Sequence, residues 1–206
     1  MTATTQPETT PGSGHDSRSG SSTPTRDIAL VAAFAALICA SAYIGAIPVG
    51  SAGVPITLQT LTVMLAGCIL GPLRGFAAVT LYLALGAVGL PVFAEHSSGI
   101  GVFTGPSGGY LIAFPFAAAL GGYLVKYVAR ERRTRALVVF ACSITASILV
   151  IHPLGILGMM LYFDVSFAQA LTWDMPFWLG DLVKTSLVAM IAAEVHRAFP
   201  QLLQLD

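Results

Sequence analysis

Long apolar runs, separated by short polar or helix-breaking stretches, extend along most of this chain. A helix that crosses a bilayer needs about 20 predominantly apolar residues. Pro48, the pair Gly71-Pro72, Pro91 and the basic run 130–135 separate the first five apolar segments, because proline interrupts helices and charges are costly in lipid. Six membrane helices are therefore predicted, at residues 28–47, 54–70, 73–90, 109–129, 136–162 and 175–196.

The N-terminal end differs from this pattern. Residues 1–25 are rich in Ser, Thr, Gly and Pro and contain no apolar run. Such a segment buries too little apolar surface to offset the entropy of folding. We therefore expect a disordered N-terminal tail over residues 1–25 and a six-helix transmembrane domain over residues 26–200.

The overall composition supports an all-α integral membrane protein. Hydrophobic residues make up 55% of the 206 residues and charged residues only 10%, with a mean hydropathy of +0.79, whereas soluble domains carry about 25% charged residues. The formal net charge is zero and no basic, aromatic-rich patch occurs, which argues against nucleic acid as a partner. The three cysteines and four histidines are scattered, so we expect no disulfide framework, metal site or cofactor.

The basic residues indicate how the predicted bundle is oriented. With six helices and both termini in the cytoplasm, nine of the ten Lys and Arg residues fall on the cytoplasmic side, as the positive-inside rule requires. The tenth is Lys184, and the opposite loops carry only acidic charges, at Glu95, Asp164 and Asp174.

Two charged residues interrupt the last apolar segment. A charge near the middle of a bilayer costs roughly 2.5–3.5 kcal/mol on insertion scales, so such residues usually face a cavity and serve a function. Asp181 and Lys184 are three residues apart and are expected on one helix face, with Trp178 three residues earlier on the same face. The alternative is a salt bridge that only neutralises the two charges.

Polar groups on two other segments have similar interpretations. The amide of Gln59 cannot be satisfied by hydrocarbon, so it contacts either a ligand or another helix. The loop before the fourth helix is rich in glycine. It is either a plain flexible loop or a cover over a site, in which case the free amides of Ser107, Gly108 and Gly109 at the helix N-terminus would favour a carboxylate.

The first helix carries regularly spaced alanines, including Ala29, Ala33 and Ala36. Small residues at such spacing allow close approach of membrane helices. The stripe therefore serves either packing within the bundle or docking of another membrane protein.

One motif suggests catalysis. The tetrapeptide at residues 105–108, GPSG, resembles the G-x-S-G pattern of rhomboid intramembrane proteases, with Ser107 as nucleophile and His152 as a possible base. This alternative requires the two side chains within hydrogen-bond reach. No nucleotide-binding loop is present in the sequence, so energy from ATP would have to come from a partner.

Five ordered segments resemble the BioY family, the biotin-binding S components of energy-coupling-factor transporters. They are VPITLQT at 54–60, LAGCILGP at 65–72, YLALGAVGLPVFA at 82–94, TGPSGGYL at 104–111 and PFWLGDLVK at 176–184. The resemblance implies a six-helix protein in the cell membrane of a prokaryote that captures biotin and docks on a transmembrane coupling protein with ABC-type ATPases. It also implies that the stripe of Ala29, Ala33 and Ala36 is a docking surface. The protein is then not an enzyme. An S component for another small vitamin is the near alternative.

The resemblance also gives the candidate residues roles toward biotin. Asp181 would accept from a ureido N–H, while Lys184 would bind a ligand oxygen or hold Asp181 ionised. Gln59 would complete the polar end, and Trp178 and Tyr82 would form the apolar wall. The turn at Ser107, Gly108, Gly109 and Tyr110 would hold the carboxylate, although the ligand could also lie the other way round.

Overall fold

The structure is a computed structural model, and it describes Met1 and residues 24–44, 46–47 and 52–204. Apart from Met1 and the first two residues of the first helix, the predicted tail lies outside the described residues.

Helices account for most of the described chain. The α-helices are α1 (Pro24–Tyr43), α2 (Gln59–Leu70), α3 (Pro72–Ala87), α4 (Gly108–Tyr123), α5 (Ala136–Ala146), α6 (His152–Phe163) and α7 (Phe167–Ala198). A π-helical segment, Leu124–Val128, extends α4, and another, Ser147–Ile151, joins α5 to α6. Short 3-10 helices are at Ala94–His96, Ile100–Thr104 and Leu202–Gln204. The predicted all-α class is confirmed.

Among the described residues, four helices are long and apolar enough to cross a membrane. They cover residues 24–43, 108–128, 136–163 and 167–198. Helices α2 and α3 have 12 and 16 residues, which corresponds to about 18 and 24 Å at 1.5 Å per residue. Both are shorter than a hydrocarbon core of about 30 Å.

Helix α2 lies in the interior of the bundle. Ten of its 12 residues are buried, and it packs against α1, α3, α4 and α7. Gly67 permits the contact with α4, because a Cβ added there would lie 2.1 Å from the carbonyl oxygen of Ala118. Gly75 of α3 also approaches Gly67, because a Cβ added to Gly75 would lie 2.7 Å from the Gly67 Cα. The polar side chains of α2 are therefore surrounded by protein rather than by lipid.

The second helix starts later than predicted, at Gln59 rather than at residue 54. Pro55 therefore lies before the helix and not in its first turn. Ile56 exchanges two backbone hydrogen bonds of 2.9 Å with Ile47, and the residue before a proline is itself biased toward extended backbone. The segment before α2 is consequently extended.

The last helix starts earlier than predicted, at Phe167 rather than at residue 175. The Ser166 hydroxyl caps it by accepting a hydrogen bond from the Gln169 amide at 3.4 Å. Asp174 and Pro176 both lie inside this helix, so the placement of Asp174 in the preceding loop is wrong. Membrane helices tolerate an internal proline where neighbouring groups satisfy the freed backbone.

Candidate functional site

A cavity of about 280 Å³ lies among α2, α4 and α7, next to the junction of α5 and α6. This volume is close to the roughly 300 Å³ at the lower end of small-molecule sites. The extended segment before α2 and the loop before α4 also contribute to its lining. The predicted residues that line the cavity are Gln59, Ser107, Tyr110, Asp181 and Lys184.

Asp181 and Lys184 form a buried ion pair in the cavity lining. The Lys184 Nζ lies 2.6 Å from Asp181 Oδ1, and the two residues are 8% and 3% exposed. Nζ also donates to the Thr60 hydroxyl at 2.5 Å, and the Ser147 hydroxyl donates to Asp181 Oδ2 at 2.9 Å. Burying two charges is tolerated only when their remaining hydrogen-bonding positions are also used. The hydroxyl groups of Thr60 and Ser147 provide such hydrogen bonds to the pair.

Gln59 is held by two neighbours. Its Oε1 accepts from the Thr57 hydroxyl at 2.8 Å, and its Nε2 lies 2.5 Å from the Tyr82 hydroxyl. The Lys184 Nζ reaches the Thr57 backbone carbonyl at 3.4 Å. Gln59 therefore has internal partners, and it is linked to the ion pair through Thr57.

The turn before α4 is tightly packed. Ser107 and Tyr110 line the cavity, whereas Gly108 and Gly109 are not among its lining residues. A Cβ on Gly108 would lie 2.0 Å from the Phe103 carbonyl oxygen, and a Cβ on Gly109 would meet the backbone of α6 at 2.2 Å. The Gly108 amide donates to the Gly105 carbonyl at 3.0 Å, so the prediction of a free amide there is wrong.

Two residues predicted as the apolar wall, Tyr82 and Trp178, do not line the cavity. Tyr82 is fully buried behind Gln59, and Trp178 is 45% exposed. Each step of three residues rotates a side chain by about 60° around the helix. The Trp178 ring and the Lys184 side chain therefore diverge, with Asp181 between them. The apolar lining comes instead from residues that include Phe93, Leu111, Phe114, Ile151 and Phe177.

Asp174 is a fully buried carboxylate with three side-chain contacts. Oδ1 accepts from the Tyr110 hydroxyl at 2.6 Å, and Oδ2 accepts from Trp178 Nε1 at 2.6 Å. Oδ2 also lies 2.8 Å from His152 Nδ1. The opposite ring nitrogen, His152 Nε2, lies 3.6 Å from Asp181 Oδ2. The His152 ring thus lies between two carboxylates of α7, the fully buried Asp174 and the cavity-lining Asp181.

This arrangement does not favour the protease alternative. Both ring nitrogens of His152 are close to carboxylates, and no hydrogen bond joins His152 to Ser107 in the part of the chain that the structure describes. Nor do three His, Cys, Asp or Glu side chains of the described residues gather as a metal site requires.

Comparison with known proteins decides the family, because residues 13–201 match the BioY family. The chain belongs to the BioY family. The biotin transporter BioY of Rhodobacter capsulatus is 41% identical over 190 residues, covering 86% of this chain and 97% of that protein. The biotin transporter BioY of Rhizobium etli is 34% identical over 181 residues, with the same coverage of each chain. The resemblance drawn from the sequence is confirmed.

A solved structure has the same fold as this BioY-family chain. It is the crystal structure of the S-component for biotin from an ECF-type ABC transporter, with a TM-score of 0.80 and 27% identity. The match covers 86% of this chain and 95% of that chain.

Sequence reasoning missed Asp174 and left the role of His152 open in this BioY-family chain. Both residues are buried, at 0% and 3% exposure. A usable signal was present, since Asp174 lies seven residues before Asp181, close to two helical turns and therefore on nearly the same face. The placement of Asp174 in the preceding loop concealed that relation.

Proposed function

We propose that this protein is the membrane-embedded S component of a biotin transporter, which captures biotin in the cavity around Asp181 and Lys184. The observation that carries the proposal is a buried ion pair in the lining of a ligand-sized cavity, in a chain of the BioY family. An ion pair that merely neutralised itself would be replaceable by apolar side chains at little or no cost. Its place in the cavity lining favours ligand binding.

The cavity provides the groups that biotin requires. Biotin has a ureido group, an apolar ring body and a chain that ends in a carboxylate. Asp181 supplies an acceptor for a ureido N–H, and Lys184 supplies a cation for a ligand oxygen. Gln59, held by Tyr82, completes the polar end. Phe93, Phe114 and other apolar residues enclose the rings. Ser107, which also lines the cavity, is assigned to the other end of the ligand, whereas the Tyr110 hydroxyl is held by Asp174.

Equilibrium binding of labelled biotin to the purified protein tests this proposal. We expect saturable binding of one biotin per chain, displaced by unlabelled biotin but not by equimolar amounts of other carboxylate-bearing vitamins. The cavity holds one ligand of this size and matches its polar groups. Absence of saturable biotin binding, or equal displacement by another vitamin, would contradict it.

We further propose that the chain crosses the prokaryotic cell membrane six times with both termini in the cytoplasm. The four long helices supply four crossings. The consecutive short helices α2 and α3 supply the other two, and α2 lies inside the bundle. The distribution of Lys and Arg supports this orientation.

Reporter enzymes fused to the C-terminus test this topology. A reporter that is active only in the cytoplasm should be active, and one that is active only in the periplasm should be inactive. Activity of the periplasmic reporter would contradict the topology.

Partners are proposed on the exposed face of α1. This helix packs on α2 and α3 through a face on which Ala35, Ile38 and Ala42 are buried. The opposite face exposes Ala29, Ala33 and Ala36. Small exposed residues permit close approach of a second membrane helix. We assign this face to a transmembrane coupling protein, which ABC-type ATPases would energise.

Replacing Ala33 by Leu is expected to weaken association with the coupling protein and leave biotin binding by the isolated chain unchanged. A larger side chain holds the helices apart. An overpacking cost of 1–3 kcal/mol corresponds to roughly 5- to 150-fold weaker association. Copurification and biotin uptake with the coupling module measure the effect. Ala141→Leu, at an exposed position on α5, is the matched control, and equal loss in both variants would contradict the assignment.

A further inference from the structure

The His152 ring lies between the buried Asp174 and the cavity-lining Asp181. It is buried and is itself in the cavity lining. Its Nδ1 contact with Asp174, at 2.8 Å, is a normal hydrogen bond. Its Nε2 is 3.6 Å from Asp181 Oδ2, which is too long for a hydrogen bond. The two nitrogens therefore have different environments.

The other contacts of Asp174 indicate that its Oδ2 acts as an acceptor toward the His152 ring. An indole N–H can only donate, so Asp174 Oδ2 is an acceptor toward Trp178. The Tyr110 hydroxyl occupies Oδ1 at 2.6 Å. Both contacts therefore use the Asp174 oxygens as acceptors. His152 Nδ1 then donates to Oδ2, and the partner of one ring nitrogen fixes the state of the other.

In the neutral imidazole, this assignment leaves His152 Nε2 without a proton and therefore as an acceptor. Asp181 Oδ2, 3.6 Å away, is an acceptor as well, and it already receives the Ser147 hydroxyl at 2.9 Å. Two acceptors this close repel each other unless a donor lies between them. A donor N–H in the cavity would satisfy both at once.

We propose that His152 is a specificity-determining residue, whose Nε2 accepts, together with Asp181 Oδ2, from one N–H of the bound ligand. Asp174 is the positioning residue that keeps the imidazole proton on Nδ1. The class of ligand selected is one with an unsubstituted N–H in its polar head, such as a cyclic urea. This inference rests on the proposed function, because it assigns the same cavity.

The state of the ring can be measured by nitrogen-15 NMR of the histidine-labelled protein in lipid. We expect His152 to carry a proton on Nδ1 and none on Nε2; the resonance is assigned by its loss in His152→Gln. Asp174→Leu should move the proton toward Nε2. In Asp174→Asn the amide oxygen can still accept from Nδ1, so the proton should stay on Nδ1 as in the wild-type protein. A ring in the wild-type protein with a proton on Nε2, or on both nitrogens, would overturn the proposal.

Discrimination between ligands tests the proposed contact of His152 Nε2 with a ligand N–H. The probes are biotin and its two analogues with a single methyl group on one or the other ureido nitrogen. We expect the wild-type protein to reject one of these analogues more strongly than the other. His152→Leu should reduce that difference by roughly tenfold, as expected for the loss of one hydrogen bond, and Asp174→Asn should preserve most of it.

The control is Glu194→Gln. Glu194 is exposed and lies near the C-terminal end of α7, the helix that carries Asp174, so this variant should keep the wild-type discrimination. Unchanged discrimination in His152→Leu would overturn the inference while leaving biotin capture intact. If the wild-type protein failed to bind biotin at all, the proposed function itself would fail. Should His152→Leu not fold, the NMR measurement on the wild-type protein decides alone.

Discussion

Asp181→Asn and Lys184→Met proteins are each expected to lose biotin affinity by roughly 30-fold to several thousand-fold, the equivalent of about 2–5 kcal/mol. Each substitution removes one member of a pair whose charged atoms are 2.6 Å apart and buried. The remaining charge then has no ionic partner in a site of low dielectric constant. Binding of labelled biotin to the purified variants, alongside thermal unfolding without ligand, measures both the affinity and the stability.

Helix α7 contains a matched control for this prediction. Glu194 and Arg197 form an ion pair with the same spacing of three residues, but their side chains are 67% and 60% exposed. Exposed pairs typically contribute about 0–1 kcal/mol. Glu194→Gln and Arg197→Gln should therefore leave biotin affinity and unfolding close to those of the wild-type protein.

The double variant Asp181→Asn/Lys184→Met separates a role in binding from a role in stability. Removing both charges avoids an unpaired buried ion, so much of the stability lost in either single variant should return. Biotin affinity should not return, because the ligand still lacks its acceptor and its cation. Near-normal affinity in both single variants would contradict the assignment of the pair to the ligand site.

The sequence was sufficient to predict the ion pair and most of the helices, because both follow from local patterns. A charge in an apolar run is visible without knowledge of its neighbours, and so is a run of about 20 apolar residues. The helix over residues 136–162 is found at 136–163. The chemistry around Asp181 was less accessible, since Ser147 and His152 come from a different part of the chain.

The errors at the site share a physical cause. The last helix was predicted to begin just after Asp174, but Asp174 and Pro176 both lie inside α7. The second helix was predicted from residue 54, but it begins at Gln59, after an extended segment. The first error placed Asp174 in a loop and thereby concealed its contacts with Tyr110 and His152. Backbone pairing between Ile47 and Ile56 and burial within the bundle are long-range effects that override such local signals.

The short interior helix α2 shows a further limit of sequence patterns. Its composition resembles that of any apolar membrane segment, yet almost all of its surface is covered by protein. The mean apolar character of a helix does not distinguish a lipid-facing segment from a buried one. The glycines at its contacts carry the missing information, because they show where another backbone comes close.

Gly67→Ala is expected to cause a large loss of folded protein. An added Cβ would lie 2.1 Å from the Ala118 carbonyl oxygen, which belongs to the backbone of α4 and cannot rotate away. Gly75 of α3 also packs against the Gly67 Cα, which restricts the movement of α2. We expect a cost of at least about 3 kcal/mol, near the upper end of ordinary overpacking. This cost corresponds to a decrease in Tm of at least roughly 6–12 °C for a chain of this length, measured by thermal unfolding in detergent.

Two other glycines provide a graded comparison. A Cβ on Gly121 would meet the terminal methyl group of Met64 at 2.8 Å, which is the flexible end of a side chain, so Gly121→Ala should lower the Tm only slightly. A Cβ on Gly101 would have nothing within 4 Å, and Gly101→Ala should leave the Tm unchanged. The Tm is therefore expected to be highest for Gly101→Ala, lower for Gly121→Ala and lowest for Gly67→Ala. A Gly67→Ala protein as stable as Gly121→Ala would mean that α2 and α4 can separate without loss of the fold, which contradicts the interior position of α2.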